Sequence, residues 1–302
     1  MLTKIKDLKS PNFRTRLSAV ASHMETVLDN VLPKPEGHQA VIMDAMRYSA
    51  MGGGKRLRPF LMVETAGLFD FETEALWYVA AALECIHVFS LIHDDLPCMD
   101  DDDLRRGKPT CHVAFDEAIA VLAGDALETI AFELIAQCDA PSDTRIRLIT
   151  DLARASGVHG MIGGQVMDIK VTEEQRNEAI ITQLQELKTG ALITYAVRAG
   201  AIIAGALDSE LKALTDYADD MGLAFQIKDD ILDVEGDQNL IGKTVGKDEN
   251  LGRATFVSIL GLEGAKKRAA EMGERSKSHL EPFGEKSKIL CDTVDFVLNR
   301  SH

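Results

Sequence analysis

Cysteine is scarce and unpatterned in this chain. Cys85, Cys98, Cys111, Cys138 and Cys291 are an odd number at scattered spacings with no CxxC pair, which argues against a disulfide framework and against a zinc cage. A reducing cytoplasm is the compartment that fits. Positive charge is also short, with 33 lysines and arginines against 48 acids, a net charge of -15 and a pI near 5.0. No basic patch stands out that could neutralise a phosphate backbone, so nucleic acid is not expected as a partner. The stretch from Met1 to Lys9 has no continuous apolar run of the kind a secretory leader carries. The longest apolar tract, Ala191 to Leu207, is interrupted by Arg198 and by glycines; it reads as a core helix, not an integral membrane span. A Ser/Gly/Pro linker is missing, and so is β-branched alternation bounded by hairpin turns.

What is present is helical periodicity. The chain has 302 residues, 46% of them hydrophobic and 27% charged, a soluble globular composition. Apolar residues recur at three- and four-residue spacing over roughly 12–32, 38–51, 72–95, 113–138, 142–158, 174–206, 208–234, 254–276 and 285–300. The pattern predicts an all-α fold, one domain over 1–302, with long helices in a large bundle.

One stretch organises the rest. Ala80 to Ile92 is apolar nearly all round, as in a buried helix, and it runs directly into Asp94, Asp95, Asp100, Asp101, Asp102 and Asp103, followed by Arg105 and Arg106. Carboxylates packed this densely repel one another unless a multivalent cation binds them or water surrounds them. A solvated loop is the plainer reading, and the buried helix entering the cluster argues against it. Pro97 disfavours a regular helix here, and six residues of helical rotation would turn Asp94 and Asp100 to different faces. The chain must therefore unwind after Asp95 for both to face one ion.

A second acid stretch repeats the pattern: Asp229, Asp230 and Asp233 end another apolar run. Asp229 and Asp233, at i and i+4, share one helix face. Oxygen ligands without a His or Cys cage describe Mg²⁺, which completes its shell with water and substrate phosphates. A phosphorylated substrate is the implied partner of two such clusters.

Cations sit elsewhere in the sequence. Lys55, Arg56 and Arg58 surround a glycine-rich turn, Gly52 to Gly54, that opens a helix at Pro59, where free N–H groups favour an anion; the plainer reading is a solvated basic loop. It is not a P-loop, since Arg follows Lys55. The segment Gly236 to Thr244 fails too, having five residues between its glycines where four are required and following a helix. His87, Lys188, and the pair Gln165 and Asp168 at i and i+3 are each weak signals taken alone.

In combination these residues resemble an all-trans isoprenyl diphosphate synthase, and most closely the bacterial farnesyl branch of that family, over nearly the whole chain from Gly52 to about Asp248. Asp94-Asp95 with Asp100 matches the first aspartate-rich motif in its form with a two-residue insertion, and Asp229-Asp230 with Asp233 matches the second. The resemblance implies an isoprenoid-synthase-type bundle of long antiparallel helices around a central apolar cavity, and a homodimer. It implies that Asp94, Asp100 and Asp229 lead in holding three Mg²⁺ ions on an allylic diphosphate, with Asp95, Asp230 and Asp233 supporting them and Mn²⁺ able to substitute. Arg105, Lys188 and Lys243 correspond to cations on that diphosphate. Lys55, Arg58, His87 and Arg106 correspond to the isopentenyl diphosphate site, and Thr189, Gln226, Gln165 and Asp168 to the lining of the reaction centre.

The implied reaction condenses isopentenyl diphosphate with dimethylallyl or geranyl diphosphate to give (2E,6E)-farnesyl diphosphate. Phe89, five residues before Asp94, lies more than a turn deeper on the helix, where a large ring stops growth of the prenyl tail. Family members of the bacterial C15 type more often carry tyrosine there and plant-type C20 enzymes a smaller residue, so phenylalanine favours C15. A geranylgeranyl synthase is the alternative of the same chemistry. A terpene cyclase would need an Asn-Ser-Glu type second motif where Asp229-Asp230 stands. An inactive helical partner subunit would be expected to have lost the acids or cations that this chain keeps.

Overall fold

A computed structural model describes residues 8–175, 177–235 and 255–300, and they form two compact units whose boundary falls at Thr150 and Asp151. The first contains α1 (Phe13–Val31), α2 (Ala40–Ala50), α3 (Leu57–Gly67), α4 (Glu74–Asp94), α5 (Cys111–Ala114) and α6 (Glu117–Gln137), and α7 (Ser142–Ser156) carries the chain into the second. The second contains α8 (Met161–Lys170), α9 (Glu178–Gln185), a π-helical turn Glu186–Gly190, α10 (Ala191–Ile203), α11 (Asp208–Glu235), α12 (Phe256–Ser278) and α13 (Lys288–Asn299). The all-α expectation holds.

In the first unit α4 is the buried centre. Its inaccessible positions run from Ala75 to Ile92 on every side, and it packs against α3 and α6. It is the one described helix long and apolar enough to cross a bilayer, but 78% of its most apolar window is buried in protein. Ala120, Ala123, Gly124 and Ala131 of α6 are all buried, small enough to bring that helix close. Asp116 caps it by accepting from the Ile119 N–H at 2.7 Å. In the second unit α11 packs on α10 and α12. Ile181, Leu223, Ala224, Ile227, Ile231, Phe256 and Met272 form a shared core there.

Three differences from the periodicity have physical causes. Helix α3 was not marked by the apolar spacing because Pro59 to Ala66 are buried on all sides, so no polar face supplies a period. The run over 174–206 is helical without a break only from Glu178 to Ile203, widening into a π turn at Glu186–Gly190 between α9 and α10, and α8 forms across Gly163-Gly164. Finally, β structure is present: Leu104–Arg105 (β1) pairs antiparallel with Lys108–Pro109 (β2). Arg106 and Gly107 both have positive φ, 53° and 74°, as a tight two-residue hairpin turn requires. An Arg-Gly turn lacks the Asn or Asp that would advertise it.

Candidate active site

The first acid cluster is built by the end of α4. The helix stops at Asp94, as Pro97 and the crowded carboxylates predict. The chain then winds back on itself: the Asp100 N–H donates to the Asp94 carbonyl at 2.8 Å and the Asp102 N–H to the Asp95 carbonyl at 3.2 Å. The unwinding demanded by the spacing is therefore present, and it sets Asp94 and Asp100 side by side through their backbones. Asp95 is buried, only 2% exposed, and receives Arg105 in a forked pair, with Nε to Oδ2 at 2.8 Å and Nη2 to Oδ1 at 2.5 Å. Burial works against the Arg105 charge, but the hydrogen bonds and charge of Asp95 raise its pKa overall.

The hairpin β1–β2 also carries Arg106 across to the glycine turn, where its Nη1 donates to the Gly53 carbonyl. Gly54 has φ +127°, a conformation that favours glycine, and a Cβ there would also push the Arg106 guanidinium, whose carbon would lie 2.8 Å away. Arg58 approaches His87 at 3.4 Å between Nη1 and Nε2. Burial, and then the charges of Arg58, Arg106, Arg105 and Arg56, hold the His87 imidazole well below its usual pKa, so it is neutral at pH 7. Lys55 is exposed. Arg56 departs from the reading of three cations around the turn. Its backbone is left-handed, and its buried guanidinium is consumed by Glu25 at 2.6 Å, by Glu84 and by the Ala50 carbonyl.

A narrow cleft of about 50 Å³, open to solvent, lies beside the hairpin and is lined by Tyr48, Leu91, Asp95, Arg105, Arg106 and Lys108 among others. Phe89 is 4% exposed and meets the ring of His93 edge-on, centroids 5.7 Å apart.

The second unit gathers the remaining candidates. Lys188 lies in the π turn, a geometry frequent at functional positions, and its Nζ donates to Asp168 of α8 at 2.6 Å. The close approach of the two segments depends on Gly164, where a Cβ would stand 2.2 Å from the backbone nitrogen of Lys188. Backbone cannot yield as a side chain tip can. Gly164→Ala is expected to destabilise the protein by about 1–3 kcal/mol or more, read as a lower urea midpoint. A midpoint unchanged from the parent would show that the approach is not tight in solution.

Thr189 Oγ1 donates to Gln226 Oε1 at 3.0 Å, and Gln226 Nε2 donates to Asp230 Oδ1 at 3.0 Å. Gln165 is half-buried on α8, three residues before Asp168. Asp229 and Asp233 lie on one face of α11, half-buried. Arg300, which the sequence did not single out, donates to Asp229 Oδ1 at 2.7 Å and to the Phe225 carbonyl at 2.9 Å, with its guanidinium 3.8 Å over the Phe225 ring. Only its lone cationic charge near the C-terminal end of the sequence could have signalled it. Lys243 lies outside the described residues, as does the whole of 236–252.

Among the described residues no three acids, histidines or cysteines form a ready-made cation cage. Mg²⁺ is commonly held by one or two carboxylates together with substrate phosphates. Asp94, Asp100, Asp229 and Asp233 offer oxygen donors of that kind.

Comparison with known proteins shows the family. The family model described as polyprenyl synthetase matches residues 39–290. The chain is 44% identical over 297 residues to the farnesyl diphosphate synthase of Escherichia coli (strain K12), covering 96% of this chain and 99% of that one. It is 43% identical over 282 residues to the farnesyl diphosphate synthase of Geobacillus stearothermophilus, covering 92% and 95%. An apo crystal structure of an FPP/GFPP synthase from Zymomonas mobilis superposes with a TM-score of 0.86 at 43% identity, covering 95% of this chain and 99% of that one.

Proposed function

The chain belongs to the polyprenyl synthetase family, and from that premise we propose that it condenses isopentenyl diphosphate with dimethylallyl and then geranyl diphosphate, forming (2E,6E)-farnesyl diphosphate and releasing diphosphate. The observation that carries the reading is that both aspartate motifs stand intact in a chain 44% identical, nearly end to end, to a farnesyl diphosphate synthase. The match spans 39–290, which supports one polyprenyl synthase domain over 1–302. A homodimer in the cytoplasm is the assembly and compartment that go with this reading.

Cleavage of the allylic C–O bond places negative charge on the departing diphosphate and leaves a delocalised carbocation. Mg²⁺, three ions in the fullest form of this reading and replaceable by Mn²⁺, supplies positive charge to that leaving group when held by Asp94, Asp100 and Asp229. Asp95 supports Asp94 from behind by fixing Arg105, and Asp233 shares the face of Asp229. Arg105, Lys188 and Lys243 bind the same diphosphate. Arg58, Arg106 and Lys55, with the neutral imidazole of His87 as a hydrogen-bonding neighbour, bind the isopentenyl diphosphate. Thr189 gives its proton to Gln226, so the lone pairs on its Oγ1 remain available to the developing cation. Asp168 holds Lys188 at one position, and Gln165 lies three residues before it on α8. The departing diphosphate takes the final proton, and no protein base is required. Buried apolar helices keep water from quenching the cation.

Incubation of the purified protein with labelled isopentenyl diphosphate and geranyl diphosphate, followed by chromatography, tests this. A C15 product is expected, abolished by excess EDTA and restored by Mg²⁺ or Mn²⁺. A C20 product would instead make it a geranylgeranyl diphosphate synthase, and no product at all would leave the inactive helical subunit. Full turnover in EDTA would remove the metal from the reaction.

A further inference from the structure

The three aspartates of the second motif do not have the same surroundings. The Asp229 side chain is 44% exposed, and Asp233 follows it on the same face of α11. Asp230 is one residue on, turned by about 100°, and only 2% exposed. Both its oxygens are engaged. Oδ1 accepts from Gln226 Nε2 at 3.0 Å, one turn back on α11, and Oδ2 accepts from the Phe256 backbone N–H at 2.7 Å. Phe256 is the first residue of α12, and its ring is buried in the same core as Ala224, Ile227 and Ile231. The carboxylate thus satisfies a free N–H at the positive end of that helix.

We propose that Asp230 is a positioning residue and not a ligand of the metal: it fixes which way round the Gln226 amide lies, and through it the hydroxyl of Thr189. This rests on the prenyl transfer assigned above. The reasoning is one of donor and acceptor inventory. A carboxylate only accepts, so the end of Gln226 that faces Asp230 is its NH₂. The carbonyl end then faces Thr189, whose hydroxyl donates to it at 3.0 Å. The Thr189 proton is therefore spent on Gln226, and its lone pairs are left for an electron-poor partner. Turning Asp230 outward to a metal would strand both the Gln226 NH₂ and the Phe256 N–H inside the protein, where unpaired donors are strongly disfavoured. Adjacent Asp229, with Arg300 on its Oδ1, is 44% exposed and already reaches solvent.

Asp230→Asn tests the assignment because it preserves shape and reverses polarity. To keep accepting from Phe256, the new amide must present its NH₂ to Gln226, which flips and offers its own NH₂ to Thr189. The expected result is a loss in kcat of about tenfold to a hundredfold. Mg²⁺ affinity, titrated calorimetrically in the presence of inorganic diphosphate, should stay within about twofold of the parent, while Asp229→Asn loses about tenfold or more in the same titration. In a Gln226→Ala background the Asp230→Asn substitution should have no further effect on kcat, since the residue it acts through is gone. Affinity lost equally in Asp230→Asn and Asp229→Asn, or fully additive losses in kcat, would overturn the proposal. The unaltered protein provides a check that no folding defect can obscure: hydrogen exchange at the Phe256 amide should remain slow when Mg²⁺ and diphosphate are added. Exchange that speeds up on metal binding would show Asp230 leaving for the ion. The calorimetric and exchange readouts do not involve turnover, so they decide the role of Asp230 even if the protein were to make no prenyl product.

Discussion

Asp94→Ala lowers kcat by about a thousandfold or more, equivalent to some 4 kcal/mol of transition-state stabilisation, while far-UV circular dichroism and the unfolding midpoint stay close to those of the parent. The size of the effect comes from the leaving group, since a diphosphate that departs without its full complement of positive charge raises the barrier directly. The retention of the fold comes from the backbone. It is the Asp94 carbonyl, not its carboxylate, that holds the Asp100 N–H at 2.8 Å, so alanine leaves the wound-back loop intact. Asp229→Ala should behave in the same way. Arg300 loses one partner there but keeps the Phe225 carbonyl and the Phe225 ring. A kcat within about tenfold of the parent in either variant would exclude that aspartate from the metal site.

The second large effect is on product and not on rate. Phe89→Ala removes a ring that is 4% exposed and braced edge-on by His93, and a cavity left by such a truncation costs about 3–5 kcal/mol if it stays empty. A longer prenyl tail fills that space, gaining about 0.8 kcal/mol for each methylene it buries. Extension then competes with release, and the variant should form C20 and longer products from the same substrates. The metal requirement should not change, because Phe89 lies more than a helical turn from Asp94. Chromatography of the products decides it. Folded, active Phe89→Ala protein that still stops at C15 would show that another side chain ends the tail.

Both results depend on residues that could be named before any coordinates. Asp94, Asp100 and Asp229 stand out in the sequence because their signals are local, whereas Phe89 is picked out only by the resemblance to the family. A carboxylate's charge belongs to the side chain, the i and i+4 relation of Asp229 and Asp233 is a property of a single helix, and Pro97 stops a helix wherever it occurs. Helical period located most of the long elements for the same reason. It failed at α3, buried all round, and at the π turn, where Gly164 of a separate segment makes room for Lys188.

Residue order alone marked out an all-α chain with two oxygen-rich clusters and a cation-rich glycine turn. Tertiary structure alone decided the division of labour between chemically identical neighbours. Asp94 and Asp95 are adjacent, yet only Asp95 is buried against Arg105. Asp229 and Asp230 are adjacent, yet only Asp230 is sealed beneath the start of α12. Lys55, Arg56 and Arg58 crowd one turn, and Arg56 alone is drawn inward by Glu25 and Glu84. Nothing in a residue's own chemistry separates such neighbours. A one-residue step turns the side chain by about 100°, and whether that carries it toward water or toward a buried partner depends on segments far away in the sequence that pack against the helix.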